Sequence, residues 1–278
     1  MKTFQQALPL TQETADKTPA YLQGYLHEPN PETHQSTYPA IIIIPGGSYT
    51  HIPEHQAEQL ALAFFAQGYQ AFYLRYHFID EGDPLMPAPL VDLAHAVTYL
   101  NKNHHALALD ATKIVIAGFS VGGHIAALYG DYWASDFLDQ VSQTTKATRQ
   151  PAAIILGYPV IRLDAGFPKA KADALAITDN LDFYAADQHV SKTNPATFIW
   201  VTNDDQAVPV KNSLLYAAAL NAANVAQELH IFDHGPHGLA LANAQTAWRS
   251  GTDLPHVAKW FDLAQEWLFH TLTTETLD

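Results

Sequence analysis

The chain has 278 residues, no cysteine and a formal net charge of −14 at pH 7. This acidic balance argues against a nucleic-acid partner, because binding phosphates needs clustered lysine and arginine. The lack of cysteine excludes disulfides, thiolate nucleophiles and Cys-based metal sites. There is no signal-peptide-like stretch and no apolar run long enough to span a bilayer, so the sequence predicts a cytoplasmic protein with no membrane partner.

Strand-like and helix-like segments alternate along most of the chain. Residues 1–38 are polar with one strand-like patch at 21–27, and a β-branched run at 40–44 predicts a strand buried on both faces. The predicted elements after the Pro-Gly-Gly turn are helix 54–67, strand 70–76, helix 90–103, strand 113–117, a helix after 122, strands 152–156 and 197–202, helix 210–223, strand 227–232 and helix 254–270. This alternation predicts a single α/β domain over residues 1–278, with a mostly parallel central sheet and helices on both faces.

Two stretches, 132–150 and 162–195, do not follow the alternation. Long loops in a compact domain are usually functional. The second stretch begins just past the C-terminal end of a predicted strand, which is where open α/β sheets bind ligands. We therefore expect 162–195 to be a lid or a substrate-binding insertion.

A Gly-x-Ser-x-Gly motif lies between a predicted strand and a predicted helix, at residues 118–122. In this context the motif predicts a nucleophile elbow, with Ser120 in a strained turn and its hydroxyl exposed. Gly118 and Gly122 would remove side chains that otherwise crowd the turn. The alternative is a glycine-rich turn that only packs the helix on the strand.

A serine nucleophile needs a base and an acid that orients the base, and in this fold the chain order is serine, acid, histidine. Asp205 follows a strand end and is favoured over its neighbour Asp204. His237, flanked by glycines in the loop after the next strand, is favoured over His234. The predicted catalytic residues are therefore Ser120, Asp205 and His237.

Acyl transfer also needs donors for the developing oxyanion, and losing one such donor costs about 3–4 kcal/mol. One predicted donor is the amide of Val121, directly after the nucleophile. The second is expected from the early Pro-Gly-Gly-Ser-Tyr loop at 45–49, with Gly47 favoured over Ser48. An ordinary tight turn is the alternative for this loop.

A metalloenzyme is the main rival reading, because His51, Glu54 and His55 match the H-x-x-E-H pattern. That pattern needs both histidines on one helix, and Pro53 between them is tolerated only in a helix's first turn. We therefore predict no metal site and no cofactor.

The motifs together resemble the α/β-hydrolase esterases with a Pro-Gly-Gly-Gly-aromatic loop, in particular the carbohydrate acetyl-esterase-like (acetyl xylan esterase-like) carboxylesterases. The resemblance runs from about residue 40 to the C-terminus and is carried by Pro45 to Tyr49, Gly118 to His124, Leu156-Gly-Tyr-Pro159, Asp205 to Pro209 and His237-Gly-Leu239. It implies the α/β-hydrolase fold, the Ser120–Asp205–His237 triad and hydrolysis of acyl esters, often acetyl groups on sugars or xylo-oligosaccharides.

Two departures from that family pattern bear on the substrate. Ser48 replaces the third glycine of the loop, and Val121 replaces the usual alanine. The branched Val121 side chain is expected to narrow the acyl side, which favours acetyl over butyryl groups. On the alcohol side we expect three aromatic residues from loops at the catalytic edge of the sheet: Tyr49, Tyr158 and Phe167.

The predicted function is thus a serine carboxylesterase for small-molecule esters with short acyl groups. The alternatives are a serine exopeptidase of the prolyl-peptidase type and a non-catalytic hydrolase-fold binding protein, since fold alone does not imply function. The alcohol half of the substrate and the oligomeric state, a homo-oligomer included, are left undetermined.

Overall fold

The computed structural model describes residues 1–9, 19–32 and 35–273. Its centre is an eight-stranded sheet with strand order β1-β2-β4-β3-β5-β6-β7-β8. The strands are β1 (Lys2–Ala7), β2 (Tyr21–Leu26), β3 (Tyr38–Ile44), β4 (Gln70–Arg75), β5 (Leu109–Phe119), β6 (Ala153–Gly157), β7 (Ala196–Thr202) and β8 (Gln227–Phe232). The β1–β2 and β2–β4 pairs are antiparallel, and all pairs from β4 to β8 are parallel. The predicted mostly parallel sheet is confirmed.

Helices follow most of the parallel strands. They are α1 (Glu54–Ala66), α2 (Ala88–Lys102), α3 (Val121–Tyr132), α4 (Asp136–Ser142), α5 (Lys171–Ile177), α6 (Lys211–Ala222), α7 (Pro255–Ala258) and α8 (Trp260–Thr273). α1 and α8 meet through Phe64 and Phe261, whose ring centroids are 4.9 Å apart. α6 meets α3 where the Tyr216 hydroxyl donates to the carbonyl of Ala127 at 3.3 Å. Within the described ranges no helix has the length and apolar character that a membrane span requires.

The burial of β3 follows directly from its sequence. Ile41, Ile42, Ile43 and Ile44 are all 0% exposed. Successive strand side chains point to opposite faces, so helices and loops must cover both faces of the sheet here. A strand of this composition is stable only at the centre of the sheet, and its C-terminal end delivers the glycine-rich loop directly to the site.

The structure differs from the sequence-based expectation in four ways. β1 was not predicted, because its polar sequence pairs only at the sheet edge and buries almost no side chain. β5 begins at Leu109 rather than at residue 113. The irregular stretches contain the short helices α4 and α5. The final predicted helix is interrupted between α7 and α8.

Hydrogen bonds at Ile161 tie the start of the 162–195 segment to Ala186 and to α6. The amide of Ala186 donates to the carbonyl of Ile161 at 3.1 Å. The Asn212 carboxamide oxygen accepts from the amides of Ile161 at 3.0 Å and Arg162 at 3.2 Å. The chain therefore returns at Ala186 to the point where the segment begins, while the function of the segment as a lid stays a prediction.

Candidate active site

Ser120 occupies the turn between β5 and α3 in a strained backbone conformation. Its φ of 58° and ψ of −122° are outside the regions that non-glycine residues favour, at a cost on the order of 1–3 kcal/mol. A Cβ on Gly118 would lie 2.3 Å from the carbonyl oxygen of Gly122, and one on Gly122 would lie 2.0 Å from that of Ile44. Both positions accept only glycine, which is the steric reason for the motif.

A continuous hydrogen-bond chain runs from Ser120 to a buried carboxylate. The Ser120 Oγ is 2.7 Å from His237 Nε2, and His237 Nδ1 is 2.7 Å from Asp205 Oδ2. Because a carboxylate only accepts, Nδ1 carries the proton and Nε2 is left to accept from the serine hydroxyl. The Asp205 side chain is 0% exposed while that of His237 is 22% exposed.

The Asp205 carboxylate is fixed by the backbone on its other oxygen. Its Oδ1 accepts from the amides of Ala207 and Val208, both at 2.9 Å. These two bonds orient the carboxylate before any substrate arrives. Such preorganisation is what keeps the histidine in one tautomer.

The two competing residues have other partners. Asp204 Oδ1 accepts from the amide of Gly235 at 2.7 Å, so Asp204 braces the loop that carries His237. The His234 side chain is 59% exposed and lies 3.0 Å from Asp233. Neither Asp204 nor His234 belongs to the chain of hydrogen bonds that ends at Ser120.

The loop from Pro45 to Tyr49, here called the glycine loop, approaches Ser120 closely. A Cβ on Gly46 would lie 3.0 Å from the Cβ of Ser120, and one on Gly47 would lie 1.9 Å from the carbonyl oxygen of His51. Gly47 has a φ of +115°, and Ser48 and Tyr49 continue in the left-handed region at 57° and 62°. Ser48 thus adopts left-handed backbone at the position where the resembled family carries its third glycine.

The predicted oxyanion donors have no competing acceptor. In the described part of the chain, no group accepts a hydrogen bond from the amides of Gly47, Ser48 or Val121. The amide of Val121 begins α3, whose N-terminus favours negative charge. The Val121 side chain is 0% exposed and belongs to the core. It therefore forms no exposed wall of the cleft. If Val121 narrows the space for the acyl group, it does so by holding neighbouring core residues in place.

Buried tyrosines anchor the glycine loop from below. The hydroxyl of Tyr76, itself 0% exposed, donates to the carbonyls of Pro45 at 3.0 Å and Gly46 at 3.2 Å. The hydroxyl of Tyr49 lies 2.8 Å from His124 Nδ1, and His124 Nε2 lies 2.7 Å from the carbonyl of Tyr184. A carbonyl only accepts, so Nε2 carries the proton and Tyr49 donates to Nδ1. Burial lowers the pKa of His124 to about 4, which keeps this ring neutral.

The prediction that Tyr49 contacts the alcohol is wrong. Its side chain is 0% exposed and points into the core, where it links the glycine loop to α3. Consecutive left-handed residues turn the ring inward, and spacing in the sequence does not reveal this direction. Tyr49 therefore anchors the glycine loop to α3 instead of facing the cleft.

Tyr158 and Phe167 lie in different cavities. Tyr158 lines the cleft of about 710 Å³ that contains Ser120 and His237, and its ring packs edge-on to His237 at 5.0 Å. It is only 5% exposed, and its hydroxyl accepts from the amide of Ala240 at 3.0 Å. Phe167 lines a neighbouring, mainly apolar cavity of about 770 Å³, which shares Ser48 with the cleft. An alcohol-side contact by either ring stays a prediction.

One wall of the cleft includes Trp248, Glu54, His55 and Gln56. None of these residues was predicted to contact the substrate. Trp248 belongs to a polar loop far from any motif, and the only signal for it was a large aromatic residue in the polar stretch Gln-Thr-Ala-Trp-Arg-Ser.

The H-x-x-E-H residues also line this cleft, but α1 begins at Glu54 and leaves His51 before the helix. His51 Nδ1 lies 3.0 Å from the hydroxyl of Thr50. Over residues 1–9, 19–32 and 35–273 no group of three or more His, Cys, Asp or Glu side chains is arranged to hold a metal ion.

Comparison with known proteins gives a family and several close folds. Residues 28–220 match the family model BD-FAE. The carboxylesterase Cest-2923 from Lactobacillus plantarum superposes with a TM-score of 0.90 at 32% identity, covering 97% of this chain and 98% of its own. An acetyl ester-xyloside bifunctional hydrolase from Caldicellulosiruptor lactoaceticus superposes with a TM-score of 0.77 at 32% identity, covering 96% and 93%.

A curated relative is longer than this chain. Endo-1,4-beta-xylanase B from Butyrivibrio fibrisolvens is 32% identical over 218 residues, which cover 76% of this chain. The match spans 34% of that protein, so this chain corresponds to about a third of the relative's length.

Proposed function

This chain belongs to the BD-FAE family and is an α/β-hydrolase of the carboxylesterase type, and from this premise we propose that it hydrolyses short-chain acyl esters, acetyl esters first, through an acyl-enzyme on Ser120. The observation that carries the proposal is the unbroken chain from Ser120 Oγ through His237 to the buried Asp205. Close to the same serine, the amides of Gly47 and Val121 donate to no group in the described part of the chain.

Acylation begins with a proton transfer. His237 Nε2 takes the proton of the Ser120 hydroxyl as Oγ bonds to the ester carbonyl carbon. The carbonyl π electrons move to the oxygen, and the amides of Val121 and Gly47, or Ser48, stabilise the oxyanion. The carbonyl re-forms as the C–O bond to the alcohol breaks, and His237 gives its proton to the leaving oxygen.

Deacylation repeats these steps with water. His237 takes a proton from water as the water oxygen attacks the acyl carbon, and then returns a proton to Ser120 Oγ as the acid leaves. Asp205 keeps the imidazole in the required tautomer and stabilises the imidazolium. The steps need no group beyond the protein's own side chains and amides.

Two features support a small acyl group. Ser120 is only 7% exposed, and the side chain of Val121 next to it is completely buried. A bulky acyl chain on this side would have to displace packed core residues, which costs free energy. Acetyl is therefore preferred over butyryl.

Acetylated sugars are the proposed natural class of substrate. Support comes from the relatives, of which one is an acetyl ester-xyloside hydrolase and another a xylanase. The cleft also has a polar rim, formed in part by the exposed side chains of His51, Glu54 and His55, which suits an alcohol with several hydroxyl groups.

The test is hydrolysis of p-nitrophenyl esters from acetate to octanoate in the presence of EDTA. Wild type, Ser120→Ala and a matched control, Ser213→Ala, are compared. Ser213 is buried in α6, and its hydroxyl has no partner among the described residues, so its loss should not affect turnover. We expect a maximum at acetate, a loss of at least about 1,000-fold in Ser120→Ala and normal rates in Ser213→Ala.

The other outcomes discriminate between the alternatives. Activity that survives in Ser120→Ala means that another residue is the nucleophile. No ester hydrolysis by wild type favours the exopeptidase, which cleavage of aminoacyl-proline amides would reveal, or the binding protein, which would cleave neither. A maximum at octanoate contradicts the proposed preference for short acyl groups but leaves the esterase function in place.

A further inference from the structure

Trp248 is a large apolar residue that the core does not account for. It is 54% exposed, and it lines the same cleft as Ser120 and His237. The other large apolar side chains described as exposed, namely Met1, Leu175, Leu214, Ile231 and Phe269, lie outside this cleft. An exposed tryptophan beside a reactive serine indicates a contact surface for a ligand.

The indole lies beside the loop that carries His237. A Cβ on Gly238, the residue after His237, would be 3.9 Å from Trp248 Nε1. His237 Nε2, 2.7 Å from Ser120 Oγ, is the group that protonates the departing alcohol in the proposed mechanism. An alcohol that leaves beside His237 therefore departs along the part of the cleft that carries Trp248.

The tryptophan is held in place before substrate binds. Gln56 Nε2 donates to the carbonyl of Thr246 at 3.0 Å, and the Thr246 hydroxyl donates to the carbonyl of Leu239 at 3.2 Å. The amide of Trp248 donates to the Thr252 hydroxyl at 3.1 Å. The first two bonds join the loop at 243–252, here called the tryptophan loop, to α1 and to the loop that carries His237, and the third braces it internally. Little entropy is therefore lost when a ligand stacks on the ring.

One face of the ring is already covered. The guanidinium carbon of Arg249 lies 4.5 Å from the Trp248 ring, a cation–π arrangement, yet more than half of the residue's surface stays exposed. The same cleft carries the exposed polar side chains of Glu54 and His55. It thus combines one flat apolar surface with hydrogen-bonding groups.

A pyranose ring has the same two-sided chemistry, with C–H groups on its faces and hydroxyl groups around its edge. We propose that Trp248, Glu54 and His55 form a subsite for a pyranose ring that is the alcohol half of the ester. The indole stacks on the sugar face, while the Glu54 carboxylate and the His55 imidazole bond to hydroxyl groups. This subsite rests on the proposed esterase function and specifies its substrate class.

The experiment compares three acetyl esters that differ only in the alcohol: a monoacetylated methyl β-xylopyranoside, cyclohexyl acetate and vinyl acetate. In Trp248→Ala we expect kcat/KM for the xyloside to fall about tenfold more than kcat/KM for vinyl acetate, chiefly through KM. In Trp248→Phe, kcat/KM for the xyloside should recover most of the wild-type value. Glu54→Gln should lower the xyloside rate relative to cyclohexyl acetate. Phe269→Ala, an exposed aromatic substitution on α8, is the control and should leave all ratios unchanged.

The outcomes separate failure of the subsite from failure of the esterase function. If wild type cleaves none of the three esters, the esterase function itself is wrong. If wild type cleaves vinyl acetate but Trp248→Ala keeps the wild-type ratio of rates, the subsite is wrong and the esterase function stands. If Trp248→Ala lowers cyclohexyl acetate as much as the xyloside and Glu54→Gln changes nothing, the site binds apolar alcohols, which overturns the sugar.

Discussion

On one side of Ser120 the glycine loop is anchored in the core by Tyr49 and Tyr76, both 0% exposed, whereas the opposite wall presents Trp248, which is 54% exposed. The buried wall contributes backbone amides, whose positions depend on packing. The exposed wall contributes side chains, which can change without disturbing the core. The difference suggests that the bond-breaking chemistry is built into the fold while the choice of alcohol is set at its surface.

The largest effect is expected at Asp205, the buried carboxylate that orients His237. In Asp205→Asn, a side-chain NH₂ facing His237 Nδ1 reverses the tautomer, so that Nε2 can no longer accept the serine proton. We expect kcat to fall about 10,000-fold, measured as p-nitrophenyl acetate turnover. Asp204→Asn is the control, since its carboxamide oxygen can still accept from Gly235, and it should lose less than tenfold. Equal losses in both variants would contradict the assignment of Asp205.

The next effect should come from the buried wall. A Cβ on Gly47 would lie 1.9 Å from the carbonyl oxygen of His51, so Gly47→Ala must displace the loop from which we propose an oxyanion donor. We expect a 100- to 1,000-fold loss in kcat, about that of removing one donor. Gly68→Ala also has a positive φ, +90°, but has nothing within 4 Å. It should share the backbone cost of about 1 kcal/mol and keep normal turnover.

Stability at acidic pH should report the buried anchor. Burial lowers the pKa of His124 to about 4 in the fold, below its usual 6.5. Between these two pKa values His124 is protonated in the unfolded chain and neutral in the folded protein. The free energy of unfolding therefore falls as the pH drops from 6.5 towards 4. Between pH 7 and pH 5 this costs about 2 kcal/mol.

Urea unfolding at the two pH values measures the effect, and His124→Asn should show a correspondingly smaller pH dependence. Nitrogen-15 shifts of His124 test the same point without a substitution. A ring that is protonated at pH 5 in the folded protein would contradict the Tyr49–His124–Tyr184 arrangement.

Removing the Tyr49 hydroxyl should weaken the anchor of the glycine loop while the protein still folds. Tyr49→Phe leaves His124 Nδ1 without its donor, which costs about 1–3 kcal/mol of stability. Because the glycine loop loses an anchor, we also expect kcat to fall about tenfold with little change in KM. Tyr129→Phe removes an equally buried hydroxyl, which donates to the carbonyl of Arg149 at 2.6 Å. It should lose stability but keep its kcat, and a similar kcat in both variants would reduce Tyr49 to a packing residue.

The smallest effect concerns the acyl group. Val121→Ala removes two methyl groups from a fully buried position beside Ser120, and we expect the butyrate-to-acetate ratio of kcat/KM to rise by about threefold. Val97→Ala, equally buried in α2, leaves a comparable cavity away from the serine and should keep the wild-type ratio. An unchanged ratio in Val121→Ala would show that Val121 does not limit chain length.

Sequence predicted the parts of the molecule that depend on local rules. Gly118 and Gly122 are needed because a Cβ at either position would collide with nearby backbone, and such a requirement is visible as fixed residue types at fixed spacing. The buried parallel strands were equally predictable from β-branched runs such as that of β3.

The parts that sequence missed depend on contacts between distant residues. Tyr49 points into the core because Ser48 and Tyr49 both have left-handed backbone, and no local pattern fixes this. Trp248 reaches the cleft because Gln56, in α1, donates to the carbonyl of Thr246 in the tryptophan loop. A single sequence does not reveal pairs of this kind.

The hydrogen bond from the amide of Ala186 to the carbonyl of Ile161 closes the segment between them into a loop. Its ends meet at a fixed base, and deeper contacts, such as that of the Tyr184 carbonyl with His124, hold part of it against α3. The entropy of closing a loop grows with the logarithm of its length, so doubling it costs only about 0.6 kcal/mol. Insertions and deletions at the exposed residues 169–173 can therefore accumulate over evolution at small cost, reshaping the neighbourhood of Phe167 while Ser120 stays where it is.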